Sequence, residues 1–165
     1  MRVAVRAPSP DDLAEIAAVV TRAFADEPHS DGSEPQIVAR LHTETEQVLS
    51  LLATENGTIV GHIAFSPVTI ADGTPLWFGL GPLSVEPRCQ RRGIGSLLCR
   101  TGLARLRESR AAGCVVLGDP DYYRRFGFGS DARVTFPGVP PAYFQSLRFR
   151  GPHPEGKVSY AAAFD

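Results

Sequence analysis

The sequence predicts an α/β fold: a mixed, mostly antiparallel sheet with one splayed parallel strand pair and flanking helices. Three observations carry this. Short runs with a two-residue apolar period alternate with longer runs whose apolar residues recur every three or four positions. Asn56-Gly57 lies between two strand-like runs, which marks a hairpin. A strand at 76–85, a helix at 93–112 and a strand at 114–117 form a crossover, and such a connection makes its two strands parallel.

The elements follow in order. Residues 2–6 alternate polar and apolar and read as a short strand. Ser9 is an N-cap, with Pro10 at the first helical position and Asp12 three residues after the cap. Leu13, Ile16, Ala17, Val20 and Phe24 then give one buried helix face, ending near Asp26. Residues 27–35 have the Pro, Gly, Asp and Ser content of a loop. A second helix is predicted over 34–46, with Ile37, Val38 and Leu41 apolar. Strands at 48–54 and 58–66 flank the Asn-Gly turn, and Asp72-Gly73 marks another turn.

The strand at 76–85 is interrupted by Gly79, Gly81 and Pro82. Proline cannot donate to a ladder, so a bulge or a splayed edge is expected there. The next helix places Ile94, Leu97, Leu98, Thr101 and Ala104 on one face and ends at Gly113 as its C′ residue. Residues 114–117 form a wholly apolar central strand, and 120–126 a short helix stopped by Gly127. The remainder, 129–165, reads as a Pro- and Gly-interrupted tail closing with a strand over 157–164. Neither a repeat nor a linker divides the chain, so 1–165 is expected to be one domain.

Composition narrows the function classes. Seventeen Lys and Arg against 18 Asp and Glu give a net charge of −1, which offers no general attraction for nucleic acid or an anionic membrane. No apolar run is long enough to span a bilayer, and residues 1–8 begin as a strand rather than a secretory leader. Cys89, Cys99 and Cys114 are odd in number and lack metal-ligand spacing, which points to reduced thiols in a cytoplasm. The four histidines are scattered, so no metal is expected.

The chemistry centres on Gln90-Arg91-Arg92-Gly93-Ile94-Gly95, between a strand and a helix. Unpaired N–H groups and the helix dipole make such a turn an anion site. A Walker loop would need Gly-x-x-x-x-Gly-Lys-Ser/Thr, which does not occur. A dinucleotide fingerprint would need a third glycine where Leu98 stands, and would normally open the first βα unit of its domain. A pyrophosphate nest beside parted strands fits: Arg88, Arg91 and Arg92 bring charge, and the backbone of 91–96 brings donors. The bland alternatives stay open: glycines that only tighten a turn, and arginines on a solvated face.

At these residues the chain resembles the GNAT superfamily of acyl-CoA-dependent N-acyltransferases. Gln90, Gly93 and Gly95 match the family's Gln/Arg-x-x-Gly-x-Gly/Ala. Tyr123 to Phe128 match its Tyr-x-x-x-Gly-Phe, and Asp11-Asp12 leading to Ala23-Phe24 match its opening. These cover roughly the first 130 residues in the family's order. Leu117-Gly118-Asp119-Pro120 resembles a bacterial subgroup of acetyltransferases.

The resemblance implies the GNAT fold and acetyl-CoA as co-substrate, lying where the fourth and fifth strands part. By matching position, the backbone of Leu83, Ser84 and Val85 would pair with the pantetheine arm. Gln90, Arg91, Arg92, Gly93, Ile94, Gly95 and Ser96 would hold the pyrophosphate. Tyr123 is the candidate general acid for the departing thiolate, with a core aromatic as its structural alternative. The amine would attack the thioester directly, so Cys89, which the turn would leave exposed near the phosphates, and Cys99 are not required as nucleophiles. Some members carry a glutamate base where this chain has Gly79, so the base must be a water relay or another acid. Glu27, His29, Asp31 and Glu34 lie in the loop and helix that wall the acceptor site in relatives. The acceptor is a small-molecule or peptide amine. An acidic loop suits a cationic one, although the family also acylates amino acids and protein N-termini. Many relatives dimerise, and a homodimer is open to this chain. A non-catalytic acyl-CoA-binding or regulatory module of the same fold is the competing function class.

Overall fold

A computed structural model describes residues 2–165. Strand β1 (Val3–Arg6) is followed by a 3₁₀ turn, Pro10–Asp12, and helix α1 (Leu13–Phe24). Ser9 begins the turn, and the Asp12 carboxylate accepts its backbone N–H at 2.7 Å while pairing with Arg6 at 2.8 Å. That pair holds the Asp12 carboxyl well below the usual carboxylate range. Helix α2 (Glu34–Glu44), hairpin strands β2 (Leu49–Glu55) and β3 (Thr58–Pro67), the two-residue β4 (Thr69–Ile70) and β5 (Trp77–Val85) come next. Asn56 and Gly57 both take positive φ, as the hairpin turn requires. Helix α3 (Ile94–Glu108), β6 (Gly113–Leu117), α4 (Pro120–Tyr123), β7 (Val134–Thr135), β8 (Phe144–Arg148) and β9 (Gly156–Ser159) complete the order.

The main sheet runs β1-β2-β3-β5-β6-β8, and its one parallel pair is β5 with β6. A smaller sheet, β4-β9-β7, lies beside it. Helix α3 covers one face of the main sheet, where Leu98, Cys99, Leu103 and Leu106 pack on Leu51, Ile63, Phe65, Leu80 and Val116. Helices α1 and α2 cover the other. Ile16, Val19 and Val20 meet Val38, Leu52 and Ile59 there, and Leu41 meets Ala64.

Four expectations are corrected. Helix α3 stops at Glu108, because Arg110, at φ 70°, takes the left-handed position that ends it, and the Ala111 N–H returns to the Leu106 carbonyl at 3.0 Å. Gly113 instead begins β6, where the Trp77 indole lies so close that any Cβ would collide with it. The buried face of α3 is also rotated. Leu97 and Ala104 are exposed, whereas Gly102 is buried under the Phe65 ring, which a side chain there would strike. Cys89 is fully buried rather than exposed near a phosphate site. The tail carries β7, β8 and a β9 that ends at Ser159, with a 3₁₀ turn at Ala162–Phe164 in place of a continuous strand. Strand β8 covers the outer edge of β6, which makes β6 internal to the sheet.

Candidate functional site: a strand fork and a basic helix start

Strands β5 and β6 pair only as far as Leu80 and Val116. Beyond that point β6 continues with β8, while β5 runs on beside β3 alone. Opposite Ile63 and Phe65, β5 holds one extra residue, the bulge expected at Gly81-Pro82. The outer edge of β5 from Gly81 to Val85 therefore has no strand partner among the described residues. An extended chain inserted in this fork would meet backbone groups arranged as a strand edge.

The edge leads into the basic turn. Gln90 donates to the Val85 carbonyl at 3.1 Å, tying the turn to the end of β5. Arg91 at φ 64° and Gly93 at φ 85° are both left-handed, a backbone that turns successive N–H groups toward one point. Gly93 is the N-cap of α3 and no side chain caps it, so the first-turn donors of Ile94, Gly95 and Ser96 stay available. The arginines are unequal. Arg92 pairs with Glu55, whereas Arg91 makes no ion pair among the described residues.

Helix α4 brings two tyrosines to this region. The Asp119 side chain caps it by accepting the Asp121 N–H at 2.9 Å. Tyr122 places its hydroxyl 3.4 Å from Ser96 Oγ and close over Gly95, where a Cβ would lie 3.1 Å from it. This contact joins α4 to the start of α3. Tyr123 stands edge-on to Tyr122 and Phe128, and its ring rests on Gly118, whose missing side chain makes the space. Burial raises the Tyr123 pKa, so the phenol keeps its proton at any ordinary pH. Its hydroxyl makes no hydrogen bond to another described residue, which leaves it free to donate.

Gly79 sits one residue before the fork, and its missing side chain would point away from α3. A Cβ there would come 2.5 Å from Tyr160 Cε1 and 3.1 Å from Val68 Cγ1. The carboxylates of the α1–α2 connection border two hollows. Thr21, Phe24, Glu27, Ser30, Glu34 and Pro35 line a hollow of about 210 Å³. Glu34 accepts from Ser30 at 2.6 Å, and neither Glu27 nor Glu34 has an ion-pair partner among the described residues. Asp31 turns toward a different hollow, with Arg40 and Phe164, and His29 is exposed. Among the described residues no group of three His, Cys, Asp or Glu side chains could hold a metal ion, and no helix is long and apolar enough to cross a membrane.

Sequence reading also missed a buried polar chain on the α1/α2 face. His42 Nδ1 lies 2.7 Å from the Val38 carbonyl and must donate to it, which makes Nε2 of a neutral ring an acceptor. Ser50 Oγ, 3.0 Å away, then donates to His42 and accepts from His62 Nε2–H at 2.7 Å. His62 Nδ1 is left buried and bare. Burial, with nearby His42 adding to it, pushes the His62 pKa down to about 3 from 6.5. The unfolded chain therefore binds a proton that the folded chain refuses. Stability from this group is complete above about pH 6.5 and falls with a slope approaching 1.4 kcal/mol per unit, roughly, as pH drops toward 3. Urea unfolding midpoints at pH 7, 6 and 5 should decline accordingly, and His62→Gln should flatten that decline.

Over residues 4–130 the chain matches the acetyltransferase (GNAT) domain family. It is 35% identical over 144 residues to the uncharacterized N-acetyltransferase YhbS of Escherichia coli (strain K12), covering 84% of this chain and 83% of that protein. The crystal structure of a GNAT family acetyltransferase from Brucella melitensis in complex with acetyl-CoA superposes with a TM-score of 0.87 at 46% identity, over 99% of each chain. The structure of E. coli YhbS in complex with CoA gives 0.88 at 32% identity, over 99% of this chain and 92% of that one. Likeness in sequence along most of the chain, and in backbone along nearly all of it, gives the parted strands and the basic helix start a common origin: this chain belongs to the GNAT acetyltransferase family.

Proposed function

We propose that this protein moves the acetyl group of acetyl-CoA to the nitrogen of a primary amine by direct attack, as one catalytic domain spanning 1–165. The observation that carries this reading is the continuity of the site. The unpartnered edge of β5 runs directly into an uncapped helix start rich in backbone donors, with a protonated tyrosine on the neighbouring helix. The Brucella relative binds acetyl-CoA and YhbS binds CoA, and both support the same ligand here.

In this reading the backbone of Leu83, Ser84 and Val85 extends the sheet onto the pantetheine arm. Gln90 braces the turn. The N–H groups from Arg91 through Arg92, Gly93, Ile94 and Gly95 to Ser96 take the pyrophosphate, with Arg91 the freer of the two arginine charges. Tyr123 gives its proton to the thiolate sulfur as the C–S bond breaks. No cysteine is needed as a nucleophile: burial raises the Cys99 thiol to about 12 and the Cys114 thiol well above its ordinary value, which holds both protonated. The unpaired Glu27 and Glu34 beside the α1–α2 hollow favour a cationic acceptor. Three unpaired cysteines fit a cytoplasmic location.

Gly79 provides no carboxylate base, which is the observation favouring a non-catalytic acyl-CoA-binding module. Thiol release separates the two. Purified protein mixed with acetyl-CoA and a panel of spermidine, tobramycin and an N-terminally free peptide should release CoA faster with at least one amine than with none. Tight acetyl-CoA binding without amine-dependent release would support the binding module instead.

A further inference from the structure

The hydroxyl of Tyr160 is buried and has no hydrogen-bond partner among the described residues. A buried hydroxyl without a partner destabilises the fold, and phenylalanine would fill the same space without that cost. The ring itself is well held. It packs against Phe136 and Phe164, each with centroids 5.3 Å away, and lies over Gly79. Any side chain at position 79 would evict it. The glycine and the tyrosine thus form one arrangement that places this phenol ring one residue before the strand fork.

The face matters. Leu80 and Phe65 point toward α3, so Gly79 and its cross-strand partner Ser66 point to the opposite face. Tyr160 occupies that opposite face. The basic turn, Tyr122 and Tyr123 belong to the α3 side. A thioester held in the fork would have its sulfur and phosphates on the α3 side, so a nucleophile must reach the carbonyl carbon from the side of Tyr160. Burial raises the Tyr123 pKa, and Tyr160, on the opposite face, adds slightly to it. Burial also raises the Tyr160 pKa, so it is a neutral hydroxyl and not a base.

We infer that the Tyr160 hydroxyl is the acceptor-side hydrogen-bonding group of this site, with its oxygen accepting an N–H of the incoming primary amine and aiming the nitrogen lone pair at the thioester carbonyl. The inference rests on the acetyl-transfer reading. The C–N bond forms and the C–S bond breaks. Sulfur takes the Tyr123 proton, the ammonium proton of the adduct leaves to solvent, and Tyr123 is reprotonated from solvent. Tyr160 keeps its own proton throughout.

Tyr160→Phe tests this, because it keeps the ring and removes only the hydroxyl. The expected result has three parts. The thermal midpoint is unchanged or higher, the Kd for acetyl-CoA stays within twofold or so, and kcat/KM for the panel amine that wild type uses fastest falls at least about tenfold, the size expected for one substrate hydrogen bond. A merely structural tyrosine would lower the midpoint and leave kcat/KM alone. Wild-type kcat/KM in Tyr160→Phe, with Tyr123→Phe impaired, overturns the role of Tyr160 and leaves the acetyl-transfer reading standing. If no amine raises thiol release above the rate in water, and Tyr123→Phe matches wild type, both fall together.

Discussion

Tyr123→Phe should lower kcat for amine acetylation by about 10²–10³-fold, the range of a lost general acid, while acetyl-CoA binds nearly as before. The ring does the packing. It rests on Gly118 and meets Phe128 and Tyr122 edge-on, and all three contacts survive in phenylalanine. The hydroxyl makes no hydrogen bond to another described residue, so its removal strands no partner among them. What is lost is a proton on the α3 side, held by a half-buried phenol that has no hydrogen-bond acceptor among the described residues. Tyr122, by contrast, already faces Ser96. Initial rates of thiol release at saturating acetyl-CoA, with calorimetric Kd values alongside, check the prediction. A variant with wild-type kcat would remove Tyr123 from the chemistry.

Gly93→Asp should weaken acetyl-CoA binding by at least about 100-fold, close to 3 kcal/mol, with a much smaller loss of stability. The N-cap glycine stands at φ 85°, where a side chain is strained, yet a Cβ there meets nothing within 4 Å. The protein should therefore still fold. The new carboxylate would sit at the start of α3, where the dipole and the N–H groups await an anion, and would both occupy those donors and repel phosphate. Gly93→Ala separates the two contributions, since it brings the strain without the charge and should cost far less affinity. Calorimetric titration of each variant with acetyl-CoA is the measurement. Unaltered binding in Gly93→Asp would move the pyrophosphate elsewhere.

Local chemistry made much of this legible beforehand. Asn56-Gly57, the Gly81-Pro82 interruption and the Gly127 stop each act through their own backbone, so residue identity was enough to locate the hairpin, the bulge and the end of the 3₁₀ turn, Arg124–Phe126, that follows α4. The basic turn was legible for the same reason: its donors are main-chain groups fixed by a glycine at positive φ. Gly113 misled because a glycine after a helical run usually ends it. Here Arg110 does so, and the glycine answers to Trp77 from a neighbouring strand. Strand β8 was hidden because Phe144–Arg148 is short and sits among the prolines of 137–156. Its pairing with β6 is long-range.

The same division runs through the site. The sequence by itself determined the crossover, the basic glycine turn at a helix start and the short helix that carries Tyr123, since each depends on residues close together in the chain and on backbone geometry that their types dictate. Only the tertiary structure decided which arginine keeps its charge free, because Glu55 lies in a distant hairpin. It alone brought Tyr160 over Gly79 and set His62 beneath Ser50 and His42. These groups are far apart in sequence, and their meaning comes from burial and from the absence of a partner, which no local pattern of residues records.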